Sequence, residues 1–348
     1  MKLSRAKRHL VRKGLPVITG MAILFCCSFS IAAEPAVKQA DALTAVPLSS
    51  APFNIQQTLT KDGDFNAVTI LPDDNLYSIT AENAEGKGKI ELYSTPVKFT
   101  DEDGTVSFID TGMTQNSARR SLFDGYSYKN TANSFTAEFS TNAEKGFSLN
   151  KQFTFGAYQA DTDAAKGYIN TDELGNGRMV YEDIYGSGTS LAHTNINTGV
   201  KNEIVLTEPA EQNVFSFLYT SSTHDLVPAE DDAAVFLVDK ADEENIDYIF
   251  QPIYVCDSYK AESQEAPGAF KHFTEGSTYR LTPVSDTQTR VDIVVPEEFL
   301  NSPEVVYPVQ ITDVYKRQPL SWLTRSCVCI PPSAAEASER SRAIGRID

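Results

Sequence analysis

Few side chains in this sequence have the type and spacing needed for chemistry. His193, His224 and His272 each stand alone. Zinc sites bring His and Cys together at short paired spacings, and no such pair flanks any of the three. Cys327-Val328-Cys329 is too close for a zinc pair and lies in a compositionally foreign C-terminal stretch. Asp101-Glu102-Asp103-Gly104 and Glu230-Asp231-Asp232 offer hard oxygen ligands. A calcium loop alternates its oxygens and closes with a later bidentate Glu, which neither run does, so both read as turns. Gly186-Ser187-Gly188-Thr189 lacks the G-x-S-x-G elbow and a following helix, and it too reads as a turn. Carboxylates are numerous enough for a glycosidase pair, yet no pair stands out on patterned strands. We therefore assign no catalytic residue, no metal ligand and no cofactor, and leave the ligand-binding residues unassigned. A sugar-binding surface would need an exposed aromatic row, for which Tyr126, Tyr128 and Tyr158 are the candidates; most Phe and Tyr here sit at inward strand spacing and read as core.

The elements that must position any such residue are strands. Residues 178–219 organise the chain and read as three strands with tight connections. Asn197-Thr198-Gly199 is turn chemistry tolerant of positive φ. Val200, Ile204 and Leu206 precede Pro209, and Val214, Phe215, Phe217 and Tyr219 follow it. Upstream, Asp101–Gly104 separates two apolar runs, a strong hairpin signal. Phe123, Tyr126 and Tyr128 read as one run, and Phe135, Ala137 and Phe139 alternate with polar residues at period two. Downstream, Tyr248–Cys256 reads as a strand interrupted by Pro252, and Ser285–Gln288 as a hairpin turn. Pro296–Asn301 suits one helical turn. Sustained 3.6-residue periodicity is absent from the body. The expected fold is therefore all-β: an antiparallel β-sandwich or extended packed sheets with few or no helices.

The ends differ from the body. Residues 1–33 combine Lys2, Arg5, Lys7, Arg8, Arg12 and Lys13 with an apolar run from Val17 to Ile31 and Ala32-Ala33, which reads as a signal peptide. The run of about 15 residues is short against the roughly 20 that span a bilayer. Residues 34–58, rich in Ala, Pro and Ser, read as a flexible linker. The β domain is expected over 59–311, with a sub-boundary near 160–177. From Asp313 the composition shifts, and 312–348 reads as a non-native or disordered tail. Between residues 34 and 312 there are 18 Lys and Arg against 43 Asp and Glu, a net charge of −25. That acidity argues against nucleic acid and against anionic membrane as partners. Cys256 is the one cysteine of the body, so no disulfide framework is expected and stability must come from a core.

Several stretches carry a family resemblance. Tyr93-Ser94-Thr95-Pro96-Val97-Lys98-Phe99, with Asp103-Gly104 and Phe108-Ile109-Asp110, is one. Tyr181–Tyr185, Gly199–Leu206 and Phe215–Phe217 continue it, and Tyr307-Pro308-Val309-Gln310-Ile311 closes it. Together, over about 59–311, they resemble the N-terminal region of large secreted RHS/YD-repeat proteins, wall-associated and polymorphic-toxin-like, of Gram-positive bacteria. Where that pattern continues Asp-Pro, this sequence has Thr312-Asp313. The resemblance implies a β-rich, non-catalytic structural or display module, secreted or at the cell surface. It implies a fragment of a longer chain whose partners are the downstream modules of the same polypeptide. Cell-wall glycan is a further candidate partner, and no membrane contact is expected once the signal is cleaved. It transfers no active site. A carbohydrate-binding or adhesive domain and a cell-wall hydrolase are the competing readings.

Overall fold

The computed structural model describes residues 45–60, 68–158, 166–259, 273–274 and 276–317. The first unit holds β1 (Val46–Pro47), a single 3-10 turn (Leu48–Ser50), α1 (Phe53–Leu59), β2 (Val68–Ile70), β3 (Ser78–Asn83) and β4 (Gly88–Leu92). The four strands form one antiparallel sheet in the order β1-β2-β3-β4. β5 (Lys98–Thr100) and β6 (Val106–Phe108) make a separate two-stranded ribbon. Its turn is the Asp101–Gly104 hairpin expected from sequence: Gly104 takes φ +86°, and the Asp101 carboxylate accepts the Thr105 N–H at 2.8 Å.

The larger unit begins with β7 (Asp110–Gln115), α2 (Arg119–Phe123), β8 (Tyr128–Ala132), β9 (Ala137–Phe139), β10 (Phe147–Leu149) and β11 (Phe153–Ala157). β12 (Tyr168–Thr171), β13 (Gly177–Tyr181), β14 (Thr189–Ile196), β15 (Gly199–Leu206) and β16 (Val214–Thr220) follow. The remainder is β17 (His224–Pro228), β18 (Val235–Asp239), β19 (Ile246–Phe250), β20 (Tyr254–Cys256), β21 (Phe273–Thr274), β22 (Thr278–Pro283), β23 (Gln288–Val294), α3 (Glu297–Leu300) and β24 (Val309–Arg317). These strands form two antiparallel sheets. One has eight strands, in the order β22-β23-β16-β11-β10-β9-β8-β7. The other has ten, with β12-β13-β14-β15-β24-β19-β18-β17 as its path and β20 and β21 attached at β24.

The two sheets share one core. Phe155 of the first meets Phe250 of the second edge-on at 5.6 Å between ring centroids, and Phe153 meets Tyr248 at 5.3 Å. Phe215, Phe217, Val291 and Ile293 oppose Leu191, Ile204, Leu237 and Ile311, all buried. Each large side chain so buried contributes about 1.5–3 kcal/mol relative to exposure, which is what holds the sandwich; Cys256 is itself buried, its Sγ 3.9 Å from Gln310 Oε1. The all-β expectation holds, with three short α-helices among the described residues. One of them, α3, is the expected turn after Pro296.

Three expectations are corrected. Part of the expected linker 34–58 is packed structure: Ile55 and Leu59, four residues apart on one helical stripe, reach 1 % and 0 % exposure against Ile70, Ile79 and Val97. Residues 34–44 lie outside the described residues, as does the expected signal peptide at 1–33. Near the expected sub-boundary at 160–177 the chain passes from the eight-stranded sheet, at β11, to the ten-stranded sheet, at β12; the two apolar clusters divide elsewhere, between Val97 and Phe135. Residues 119–123 are helical, so Phe123 does not share a strand with Tyr128. Finally, the sheet does not end at Ile311. β24 pairs with β15 over eight positions, from Leu206↔Val309 to Gly199↔Lys316. Its other edge carries both β20 and β19, the two halves of the strand that Pro252 interrupts. Thr312–Arg317 is therefore central sheet, and 318–348 lies outside the described residues.

Candidate functional site

The polar side chains of the sandwich fall into three groups. The first lies inside the core. Residues 178–219 contain four strands rather than three, because the polar run Thr189–Ile196 is β14. Register places Met179, His193, Asn202 and Asp313 in one row across the ten-stranded sheet. His193 is fully buried between the edges of Phe147 and Tyr181, and its Nδ1 lies 2.6 Å from Asn202 Oδ1. Burial lowers its pKa to about 4, against a weaker opposing pull from Asn202. The ring is therefore neutral at physiological pH, with Nδ1–H donating to the amide oxygen, since that oxygen can only accept. Asn195 Nδ2 donates to the Thr111 carbonyl at 2.9 Å, tying the ten-stranded sheet to β7 of the other. Tyr279 donates to the Gln251 carbonyl at 2.8 Å and stands 3.4 Å from Asp313 Oδ2; burial, then Asp313, push its phenol well above the ordinary value.

The second group sits at one end of the sandwich. His224 Nδ1 lies 2.8 Å from Thr223 Oγ1, and its Nε2 lies 2.8 Å from Asp247 Oδ2. Asn245 donates to the other oxygen of Asp247 at 3.0 Å. A hydroxyl, an imidazole and a carboxylate thus stand in line, the arrangement that activates a nucleophile in hydrolases. Its surroundings differ from such a site. The backbone N–H groups of Thr223 and His224, which would have to receive an oxyanion, both donate to Ser221 Oγ at 3.1 and 3.0 Å. His224 is buried against the ring of Tyr248. The array ties β17 to β19 across β18. Asp247 stands 23 residues from His224, and only the pairing of these strands brings the two together.

The third group lies on the outer faces. Asp292, buried in β23, is gripped by Arg280 Nε at 2.9 Å, accepts Ser216 Oγ at 2.7 Å and has Arg290 Nε at 3.2 Å. Glu203 pairs with Arg178 at 2.5 Å and Lys201 at 3.5 Å on the ten-stranded sheet. In the N-terminal unit, buried Lys98 donates to the carbonyls of Asp73 and Asn75 at 2.6 and 3.3 Å. Burial holds its amine below the ordinary pKa. The outer face of the eight-stranded sheet also carries a shallow recess of about 270 Å³, lined by Asn116, Lys129, Thr136, Glu138, Asn150 and Lys151.

The sequence candidates fall as follows. Gly186–Thr189 is a turn, with Gly186 at φ +106° and the Asp183 carboxylate accepting Gly188 N–H at 2.8 Å. Asp231 likewise caps its own turn through Ala233 N–H at 3.1 Å. Tyr126, Tyr128 and Tyr158 do not form an exposed row: Tyr126 is buried, the other two are half-buried, and Tyr128 packs against the main core. His272, Cys327 and Cys329 lie outside the described residues. Among the described residues, no three His, Cys, Asp or Glu stand together as metal ligands, and no helix is long and apolar enough to cross a membrane. No family model matches the chain, and searches of curated proteins and of solved structures return no match either.

Proposed function

We propose that this chain is a non-catalytic β-rich structural or display module of a secreted or cell-surface protein of the RHS-repeat type, joined to further modules of the same polypeptide. One observation carries the reading: the polar groups best suited to chemistry are engaged within the fold. His193 is held neutral in the core beside Asn202, and His224 is bonded at both ring nitrogens. Asp292 and Glu203 are neutralised by arginines. Groups committed in this way order and specify a sandwich rather than meet a substrate. The signal-like residues 1–33, the acidic surface and the motif resemblance support the extracellular placement.

The test is export and inertness together. The full chain, fused ahead of a reporter in a Gram-positive host, delivers the reporter to the outside of the cell, where added protease removes it. The purified chain leaves peptidoglycan intact. A reporter retained in the cytosol, or release of soluble muropeptides by the purified chain, overturns the proposal.

A further inference from the structure

Most of this molecule is acidic, but residues 116–151 carry five Lys and Arg against three Asp and Glu. Part of that charge is spent internally. Arg120 pairs with Asp124 at 3.2 Å, and Lys145 donates to the Asp124 carbonyl at 2.7 Å. Lys129 and Lys151 differ: neither forms an ion pair with another described residue, and both line the recess on the eight-stranded sheet. Glu138 lines the same recess, on β9 and opposite Lys129 in register. Glu138 is 5 % exposed, and among the described side chains Asn116 is its hydrogen-bond donor, at 2.8 Å. A carboxylate accepts at about four lone-pair positions, so the floor of the recess retains capacity for further donors.

This pairing of charges selects the chemistry of an occupant. Two unpaired ammonium groups at the rim favour an anion. A carboxylate on the floor repels a bare anion and rewards a hydroxyl donor. Thr136 adds an exposed hydroxyl at the wall, whereas the Asn150 amide is engaged within the fold, its Oδ1 accepting Thr136 N–H and its Nδ2 donating to Tyr248, each at 2.8 Å. A ligand satisfying all of these carries hydroxyls and a negative charge on one small frame. The volume of about 270 Å³ falls below the roughly 300–1,000 Å³ of sites for drug-sized ligands, and suits one ring rather than an oligosaccharide. We propose that the recess binds a single acidic sugar residue, its hydroxyls on Glu138 and Thr136 and its anionic group towards the lysines, Lys129 and Lys151.

The anionic group can be a carboxylate or a phosphate, and the experiment separates them. The full chain, isotope-labelled, is titrated with D-glucuronate, D-glucose 6-phosphate, D-glucose and inorganic phosphate while backbone amide resonances are followed. Binding of at least one sugar anion about tenfold tighter than both glucose and inorganic phosphate is expected, with shifts centred on Lys129, Thr136, Glu138 and Lys151. The double variant Lys129→Met/Lys151→Met, altered only at the rim, loses at least tenfold in that affinity, and Glu138→Gln weakens it. Equal binding of glucose or of phosphate, shifts located elsewhere, no detectable binding of either sugar anion, or unchanged affinity in the lysine variant overturns the assignment. Any of these would leave the display reading standing, because that reading rests on the internal polar networks and not on the recess.

Discussion

Acidification from about pH 7.5 to about pH 5 should destabilise the sandwich through His193 in particular. Burial between Phe147 and Tyr181 disfavours the charged ring and lowers its pKa to about 4 in the fold. In the unfolded chain it returns to the ordinary value near 6.5. Between those values the unfolded state binds a proton that the folded state refuses. The stabilisation is therefore complete above about pH 6.5 and is lost as pH falls towards 4. Integrating that linkage from pH 7.5 to pH 5 gives a loss of about 2 kcal/mol, at 1.36 kcal/mol per pH unit of pKa difference. The control is His193→Phe, which keeps an aromatic ring in the same aromatic surroundings and removes the titration. It leaves Asn202 Oδ1 without its donor, a pH-independent cost of about 1–3 kcal/mol. Urea unfolding followed by far-ultraviolet circular dichroism reads both proteins at both pH values. Surface carboxylates titrate equally in the two proteins and cancel in the double difference. The wild type should lose about 2 kcal/mol more than the variant over that interval. Equal losses within a few tenths of a kcal/mol would refute the reasoning, and would mean that water or a second acceptor reaches the ring.

Asp247→Ala removes the acceptor of His224 Nε2 and of Asn245 and should lower stability by about 1–3 kcal/mol in the same urea assay, whereas Thr223→Ala, at an exposed hydroxyl, should cost less. If Thr223→Ala proves the costlier change, the strand-tying account of this array is wrong. Gly156→Ala would place a Cβ 2.1 Å from the Glu144 carbonyl oxygen, a backbone atom that cannot swing aside. A cost of about 1–3 kcal/mol or more is expected, seen as a lower thermal midpoint, and an unchanged midpoint would show that the 142–146 turn yields easily. Asp73→Ala deletes the carboxylate that accepts Ser78 Oγ at 2.6 Å and stands 3.6 Å from Lys98 Nζ. Amide hydrogen exchange should then speed up in β2 and β3 while β14 and β15 keep their protection; uniform loss across the chain would mean that the two apolar clusters unfold as one.

What could be read without coordinates is what is local. Asp101–Gly104, Asn197-Thr198 and Ser285–Gln288 mark their hairpins because turn geometry depends on the conformational tolerance of a few adjacent residues. Period-two alternation around Phe135–Phe139 marks strands because a pleat sends neighbouring side chains to opposite faces. What depends on partners distant in sequence was not legible. β14 is a strand in spite of His193, Thr194 and Asn195, because it pairs with β15 along its whole length while Asn202 bonds His193 and the Thr111 carbonyl accepts from Asn195. α1 offers only two turns, too few to announce a helix by periodicity, and it is kept by the burial of Ile55 and Leu59 against a sheet formed later in the chain. Thr312–Arg317, foreign in composition, is strand because β15, β19 and β20 supply hydrogen-bonding partners on both its edges. The Thr223–His224–Asp247 array and the recess over Glu138 follow the same rule: each is assembled by strand register between separate segments, and register is set by the packing of whole sheets.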